Sequence, residues 1–163
     1  MGKRAEAHIA EQISHATEIV DALTQAYNME LETVLNYIAN SIHLDGVRAE
    51  QIKEELAKDI PVEISHAQRL AKRIKILDGM IPGSKALTFD QDLLQPLEDS
   101  ADVVSIIRGV IEAEDSACRQ YQKIIELCEG NDYVTQDLCI ELLGDEEEHR
   151  REFKGYLKEY ERR

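Results

Sequence analysis

The chain has no tryptophan, two phenylalanines and three prolines in 163 residues. That scarcity removes the aromatic, turn-rich texture of a β protein and leaves a sequence dominated by good helix formers. Basic charge is also in short supply: 19 Lys and Arg stand against 33 Asp and Glu, a formal charge of −14. Such a surface repels phosphate backbones and anionic headgroups but concentrates metal cations, so nucleic acid is not an expected partner. No stretch approaches the roughly 20 apolar residues of a membrane span. The opening Met1-Gly2-Lys3-Arg4-Ala5-Glu6 leads into a charged amphipathic run without a secretory apolar core. The expectation is a cytoplasmic protein with no membrane partner. Cysteine is sparse too. Cys118, Cys128 and Cys139 are odd in number and match no zinc-site spacing, which argues against a disulfide framework and for buried core thiols. The competing reading makes Cys118, one turn after Glu114, and Cys139, two turns before Glu146, a redox pair beside a metal.

What is present reads as one all-α domain over residues 1–163. Ile9, Ile13, Val20, Leu23, Tyr27, Val34, Tyr37, Ile38 and Ile42 recur at steps of three, four or seven and predict one stripe of a long first helix, ending near Leu44-Asp45-Gly46. A second helix is expected from about Arg48 to Leu77. Asp78-Gly79 would stop it, with glycine as the left-handed exit, and Pro61 would kink or split it. Residues 79–101, with two prolines and Gly83, predict a long crossover that leaves the second and third helices parallel. The third helix should run from Asp102 to Cys128. Glu129-Gly130-Asn131-Asp132 then turns into a fourth.

Residues three apart share a helix face, so a Glu and a His at that spacing can reach one metal pair from a single turn. Two such turns occur, Glu63-Ile64-Ser65-His66 and Glu146-Glu147-Glu148-His149. Either alone is weak in so acidic a chain. The repetition carries more: Glu30 precedes Tyr37 by seven residues and Glu114 precedes Tyr121 by seven, while Glu30 to Glu63 spans 33 and Glu114 to Glu146 spans 32. The two halves therefore repeat one lone Glu, one Tyr and one Glu-x-x-His. Four glutamates and two neutral imidazoles supply the charge to hold two adjacent divalent ions, and an oxygen-rich set with one imidazole per ion suits iron or manganese. Glu32 and Glu112 are rivals of Glu30 and Glu114. Each lies about 200° around the helix from its neighbour, and the tyrosine spacing favours Glu30 and Glu114.

This pattern resembles the ferritin superfamily, and the surrounding sequence is similar to bacterioferritins and the bacterioferritin-like members of the Dps-like group. The matching stretches are Met29-Glu30-Leu31 with Tyr37, Glu63-Ile64-Ser65-His66-Ala67, Glu114 with Tyr121, and Asp145-Glu146-Glu147-Glu148-His149, within roughly residues 18 to 160. The resemblance implies a four-helix bundle in which Glu30 and His66 serve one ion, Glu114 and His149 the other, and Glu63 and Glu146 bridge. It implies two iron ions per chain, with manganese an alternative at one position, and a homo-oligomer. Ile64 stands where haem-binding bacterioferritins carry methionine, so haem is not expected. Only 14 residues follow His149, too few for the extra short helix of the 24-subunit cages. A within-bundle site also differs from the subunit-interface site of standard Dps proteins. Residues 1–17 read as a helical extension beyond the usual bacterioferritin start.

The activity implied is oxidation of Fe²⁺ by O₂ or H₂O₂ for iron storage or detoxification. The rival is a small-oligomer diiron oxidase or rubrerythrin-like peroxidase that stores none. Tyr37 and Tyr121 are read two ways, as core aromatics or as groups that orient carboxylates and donate an electron. His8, His15 and His43 have no acidic residue three positions before them and are expected at the surface or at helix ends. Glu147 and Glu148 are expected on a solvated face.

Overall fold

The protein is described by a computed structural model covering residues 2–162, with side chains described from residue 15 onward. It contains four long helices and no strand among the described residues: α1 Gly2–His43, α2 Glu50–Ile76, α3 Val103–Cys128 and α4 Tyr133–Tyr160. Two N-terminal caps follow from sequence. Asp102 accepts the Ser105 amide at 3.1 Å and Asp132 accepts the Thr135 amide at 3.0 Å, satisfying donors that a first helical turn leaves free. Gly46 (φ 100°) and Gly130 (φ 72°) take the left-handed positions in the two short turns.

Pro61 lies inside α2, which is assigned as one continuous helix. The proline leaves the Ala57 carbonyl without its helical donor. Both residues are exposed, so water can satisfy that carbonyl and the helix continues. The end of α2 also differs from expectation, because Asp78 (φ 59°) makes the left-handed turn. Gly79 serves a different purpose: a Cβ there would lie 2.7 Å from Val20 Cγ1. On α1, Leu23, Val34 and Tyr37 are buried, whereas Ile38 (41 % exposed) and Ile42 (76 %) leave the stripe. Small and polar residues replace them on the inner face, namely Ala22, Ala26, Glu30 and Asn40. The side chains of His8, Ile9 and Ile13 lie outside the described residues.

The connection from α2 to α3, with single 3-10 turns at Ser84–Ala86 and Asp92–Leu94, climbs the length of α1. Gly79 abuts Val20, Gln91 bonds Thr33, the Leu94 carbonyl accepts from Asn40, and the Ser100 carbonyl accepts from the Asp45 amide. The chain therefore leaves α2 at one end of the bundle and begins α3 at the other. That places α2 and α3 parallel, in a ferritin-like four-helix bundle with one long crossover.

Two apolar clusters fill the bundle. One holds Leu44, Ile52, Leu56, Ile106, Val110 and Phe153, and the other Leu23, Leu70, Ile74, Ile124, Cys128, Cys139 and Leu142. Residues 30, 63, 66, 114, 146 and 149 occupy the span of each helix between the two clusters, and their layer interrupts the core.

Candidate metal centre

All six acids and histidines singled out by their spacing converge in this layer. Glu30 (α1), Glu63 (α2), Glu114 (α3) and Glu146 (α4) are each at most 3 % exposed, His66 is buried, and His149 is partly buried. They fall into two sets of four. Glu30, Glu63, His66 and Glu146 each bring one donor atom within 4.8 Å of the others, as do Glu63, Glu114, Glu146 and His149. Glu63 and Glu146 belong to both sets.

The contacts inside the layer are close but are not hydrogen bonds. His66 Nδ1 lies 2.8 Å from Glu146 Oε1, 3.5 Å from Glu63 Oε2 and 3.7 Å from Glu30 Oε2. His149 Nδ1 lies 3.3 Å from Glu63 Oε1 and 3.4 Å from Glu146 Oε2. Both Nδ1 atoms, Glu63 Oε1 and both Glu146 oxygens are buried without a hydrogen-bond partner of acceptable geometry. Buried polar atoms are normally satisfied, so five orphans aimed at one centre call for a guest. Carboxylate oxygens and imidazole nitrogens with those free valences fit a pair of divalent cations.

The outer groups are satisfied and cross the bundle. Tyr37 on α1 donates to Glu114 Oε1 at 2.6 Å, and Tyr121 on α3 donates to Glu30 Oε1. Each tyrosine is thus both a fully buried core aromatic and an orienting hydrogen-bond donor. Burial holds both phenols well above their ordinary range, with the neighbouring carboxylates adding to it, so they stay protonated and can donate. His66 Nε2 lies 3.3 Å from Asp145 Oδ2. This contact was not anticipated from sequence, although Asp145 sits in the matching stretch.

Burial and neighbouring charge shift the acid–base behaviour of the layer. Burial, reinforced by Glu146 and Glu63, pushes Glu30 and Glu114 well above the usual carboxylate range. Burial pushes Glu63 the same way, but His149 and His66 outweigh it and bring its carboxyl down. For the rings burial disfavours the charge. Glu146, Glu30 and Glu63 overcome it at His66, and Glu146 and Glu63 hold His149 at about 10.

The rivals go elsewhere. Glu112 is exposed and pairs with Arg119 at 3.3 Å. Glu32 is buried, yet it faces the crossover and accepts the Asp90 and Gln91 amides at 2.9 and 2.8 Å. Glu147 and Glu148 are exposed. His43, exposed at the end of α1, sits 2.6 Å from the Leu97 carbonyl, and His15 is half-buried outside the cluster. Cys118, Cys128 and Cys139 are free and buried, and burial pushes their thiols up to about 11, 11 and 12. A cavity of about 580 Å³ opens between α1, the crossover and α3, bordered by Asn28, Glu112 and Arg119, and touches none of the six. The candidate centre is a buried layer apart from this cavity, and its chemistry follows its donor atoms.

Known proteins share this architecture. A "DNA protection during starvation protein" of Pyrococcus furiosus is 28 % identical over 144 residues, covering 86 % of this chain and 77 % of its own length. The bacterioferritin of Brucella melitensis is 26 % identical, covering 81 % and 78 %. Among solved structures, the dodecameric thioferritin of Bacteroides fragilis, a bacterioferritin-related protein, superposes with a TM-score of 0.76 at 26 % identity, covering 90 % of this chain and 88 % of its own. Bacterioferritin of Desulfovibrio desulfuricans shares the fold with a TM-score of 0.76 at 20 % identity, covering 90 % and 82 %. With the ferritin-like domain matched over residues 20–163, on a four-helix bundle whose buried layer can hold two cations, the chain belongs to the ferritin-like family.

Proposed function

We propose that this chain is a ferroxidase-type protein that takes up Fe²⁺ in pairs at Glu30, Glu63, His66, Glu114, Glu146 and His149 and oxidises it with O₂ or H₂O₂ for storage or detoxification. The observation that carries the reading is the set of five orphaned donor atoms in a buried layer shared by two four-residue groups. Two adjacent Fe²⁺ ions supply two electrons together. With H₂O₂ the balance is two Fe²⁺, one peroxide and two protons giving two Fe³⁺ and two waters, which avoids one-electron release of hydroxyl radical.

The protein's part is to position donors and to manage protons. Tyr37 and Tyr121 fix Glu114 and Glu30, and Asp145 fixes the outer nitrogen of His66, so that the rings and carboxylates meet incoming substrate preoriented. Protons held by the layer leave as Fe²⁺ arrives, and are then available to reduced oxygen. Manganese satisfies the same donor set and is the alternative ion at one position.

A homo-oligomer is part of the proposal. The Bacteroides fragilis relative is dodecameric. Here Leu35 (52 % exposed), Ile38 and Ile42, spaced three and four apart, leave apolar surface exposed on α1, the kind of surface that a second copy covers. No helix among the described residues is long and apolar enough to cross a membrane, and three free thiols suit the reducing cytoplasm.

The test is stopped-flow oxidation of Fe²⁺ by O₂ and by H₂O₂, alongside light scattering of the oligomer. Rapid oxidation is expected in the wild type and its loss in Glu30→Ala/Glu114→Ala, with helicity kept. Unchanged oxidation in that variant removes the assigned site. Uptake that continues far beyond two irons per chain in a closed oligomer supports storage. Uptake that halts at two favours the diiron oxidase or peroxidase reading.

A further inference from the structure

One buried carboxylate beside the layer belongs to neither set of four. Asp59 lies on α2 one turn before Glu63 and is 2 % exposed, with Oδ2 buried and unpartnered. The neighbouring Lys58 is turned to Glu55 at 3.1 Å. A buried carboxylate without a hydrogen bond or a counter-ion is costly, and a protein keeps one where a positive charge is due to arrive.

The two halves of the chain differ at this point. The residue before Glu146 is Asp145, which meets His66 Nε2 at 3.3 Å. The residue before Glu63 is Val62, so the internal repeat provides no matching acid for His149. Within ion-pair distance His149 meets Glu63 and Glu146 through Nδ1, and no described residue hydrogen-bonds its outer nitrogen. Asp59 stands one helical turn from Val62's place. Burial pushes its carboxyl up to about 6, and the strongest influence opposing burial is the charge of His149.

We infer that Asp59 is an outer carboxylate of the metal centre, a positioning residue that serves the ion place bounded by Glu63, Glu114, Glu146 and His149 and makes it the tighter of the two. The inference rests on the two-ion reading given above. Its sense follows from exposure. Asp145 is 52 % exposed, so water screens its charge, whereas the charge of Asp59 acts through protein interior. Outer carboxylates raise ligand basicity and fix ring orientation, and their loss typically weakens metal affinity about 10–100-fold.

The experiment uses the full chain stripped of metal and titrated with Zn²⁺ by calorimetry, with ¹⁵N-histidine spectra recorded at each equivalent. The wild type is expected to bind two ions in two resolved steps, the first perturbing the His149 ring. Asp59→Asn should weaken that step about 10–100-fold, leave the other unchanged, and shift the first perturbation toward His66. Because Asn removes an unpaired buried charge, the metal-free variant should melt no lower than wild type, whereas a plain packing role predicts a lower melting point. Two wild-type steps with no selective loss in Asp59→Asn, or equal loss at both with a lowered melting point, overturn the role of Asp59 alone. Selective disappearance of a third ion also overturns it, by making Asp59 a ligand in its own right. Fewer than two ions in the wild type brings down the two-ion reading and this inference together.

Discussion

Tyr37 on α1 donates a 2.6 Å hydrogen bond to Oε1 of Glu114 on α3, reaching across the bundle to the carboxylate of the other half of the chain. Its counterpart Tyr121 returns the contact to Glu30. Seven residues separate each tyrosine from the glutamate on its own helix, two turns away and on the same face. Each phenol can therefore meet the opposite glutamate while its own lies two turns away in the same layer. Tyr37→Phe keeps the aromatic packing and removes the donor, leaving Glu114 oxygen buried and unmet. Thermal melting should show a loss of about 1–2 kcal/mol. Zn²⁺ stoichiometry should stay at two per chain while Fe²⁺ oxidation slows about 10-fold. An unchanged rate would reduce Tyr37 to a packing residue.

Cations and protons compete for the same atoms. In the metal-free chain, burial and neighbouring charge raise the Glu30 and Glu114 carboxyls well above their ordinary range, and Glu146 and its neighbours, outweighing burial, raise His66 and His149. Raised groups bind protons in the folded protein over a window in which the unfolded chain has released them, so binding of metal must expel those protons. Affinity for Zn²⁺ should rise with pH from the carboxylate range to about 10, where His149 deprotonates unaided. Calorimetry at neutral pH in buffers of different ionisation enthalpy should detect net proton release as the two ions bind. Zero release would mean that the layer is not what binds.

Much of this centre could be read from spacing alone, because a helix fixes which residues share a face and a repeated spacing multiplies weak signals. Glu30 and Glu114 were separable from Glu32 and Glu112 by the tyrosine register. The inner role of Glu32 was not legible, since periodicity says that it points away from Glu30 but not that a crossover some 60 residues later will cover it. Asp145 and Asp59 escaped for a similar reason. Each acts across to another helix, and nothing in a single sequence reports the distance between helices. Of the two outcomes expected at Pro61, the split into two helices does not occur, because the cost of a lost helical bond depends on whether the freed Ala57 carbonyl faces water, which is a property of the packed bundle.

Glu32 should behave as a latch for the crossover. Both its oxygens accept backbone amides of Asp90 and Gln91, and Thr33 and Asn36 take the Gln91 side chain at 2.7 and 3.0 Å. Glu32→Ala deletes two charge-assisted bonds and strands two partly buried amides. A loss of about 2–3 kcal/mol is expected by denaturant unfolding, with faster proteolysis between residues 79 and 101. The ion count should remain two. A fall in ion count with intact stability would return Glu32 to the list of ligands.

Two helical glycines should respond to the same substitution with opposite signs. At Gly109 of α3 a Cβ would stand 2.3 Å from the Leu93 carbonyl oxygen and 2.9 Å from its carbon, backbone atoms that cannot swing aside as a side chain would. The following residue, Leu94, is 1 % exposed in the core, and its carbonyl accepts from Asn40 at 2.8 Å, so the crossover is pinned on both sides. Gly109→Ala must either break that bond or lift Leu94 out of the cluster, and should cost about 2–3 kcal/mol. Gly144 of α4 is exposed, with nothing within 4 Å of its would-be Cβ. There alanine only lowers the entropy of the unfolded chain and improves helix propensity, so Gly144→Ala should gain about 0.5–1 kcal/mol. Chemical denaturation of both variants beside the wild type checks the pair. Stabilisation at Gly109 would mean that the crossover does not sit against α3 as described.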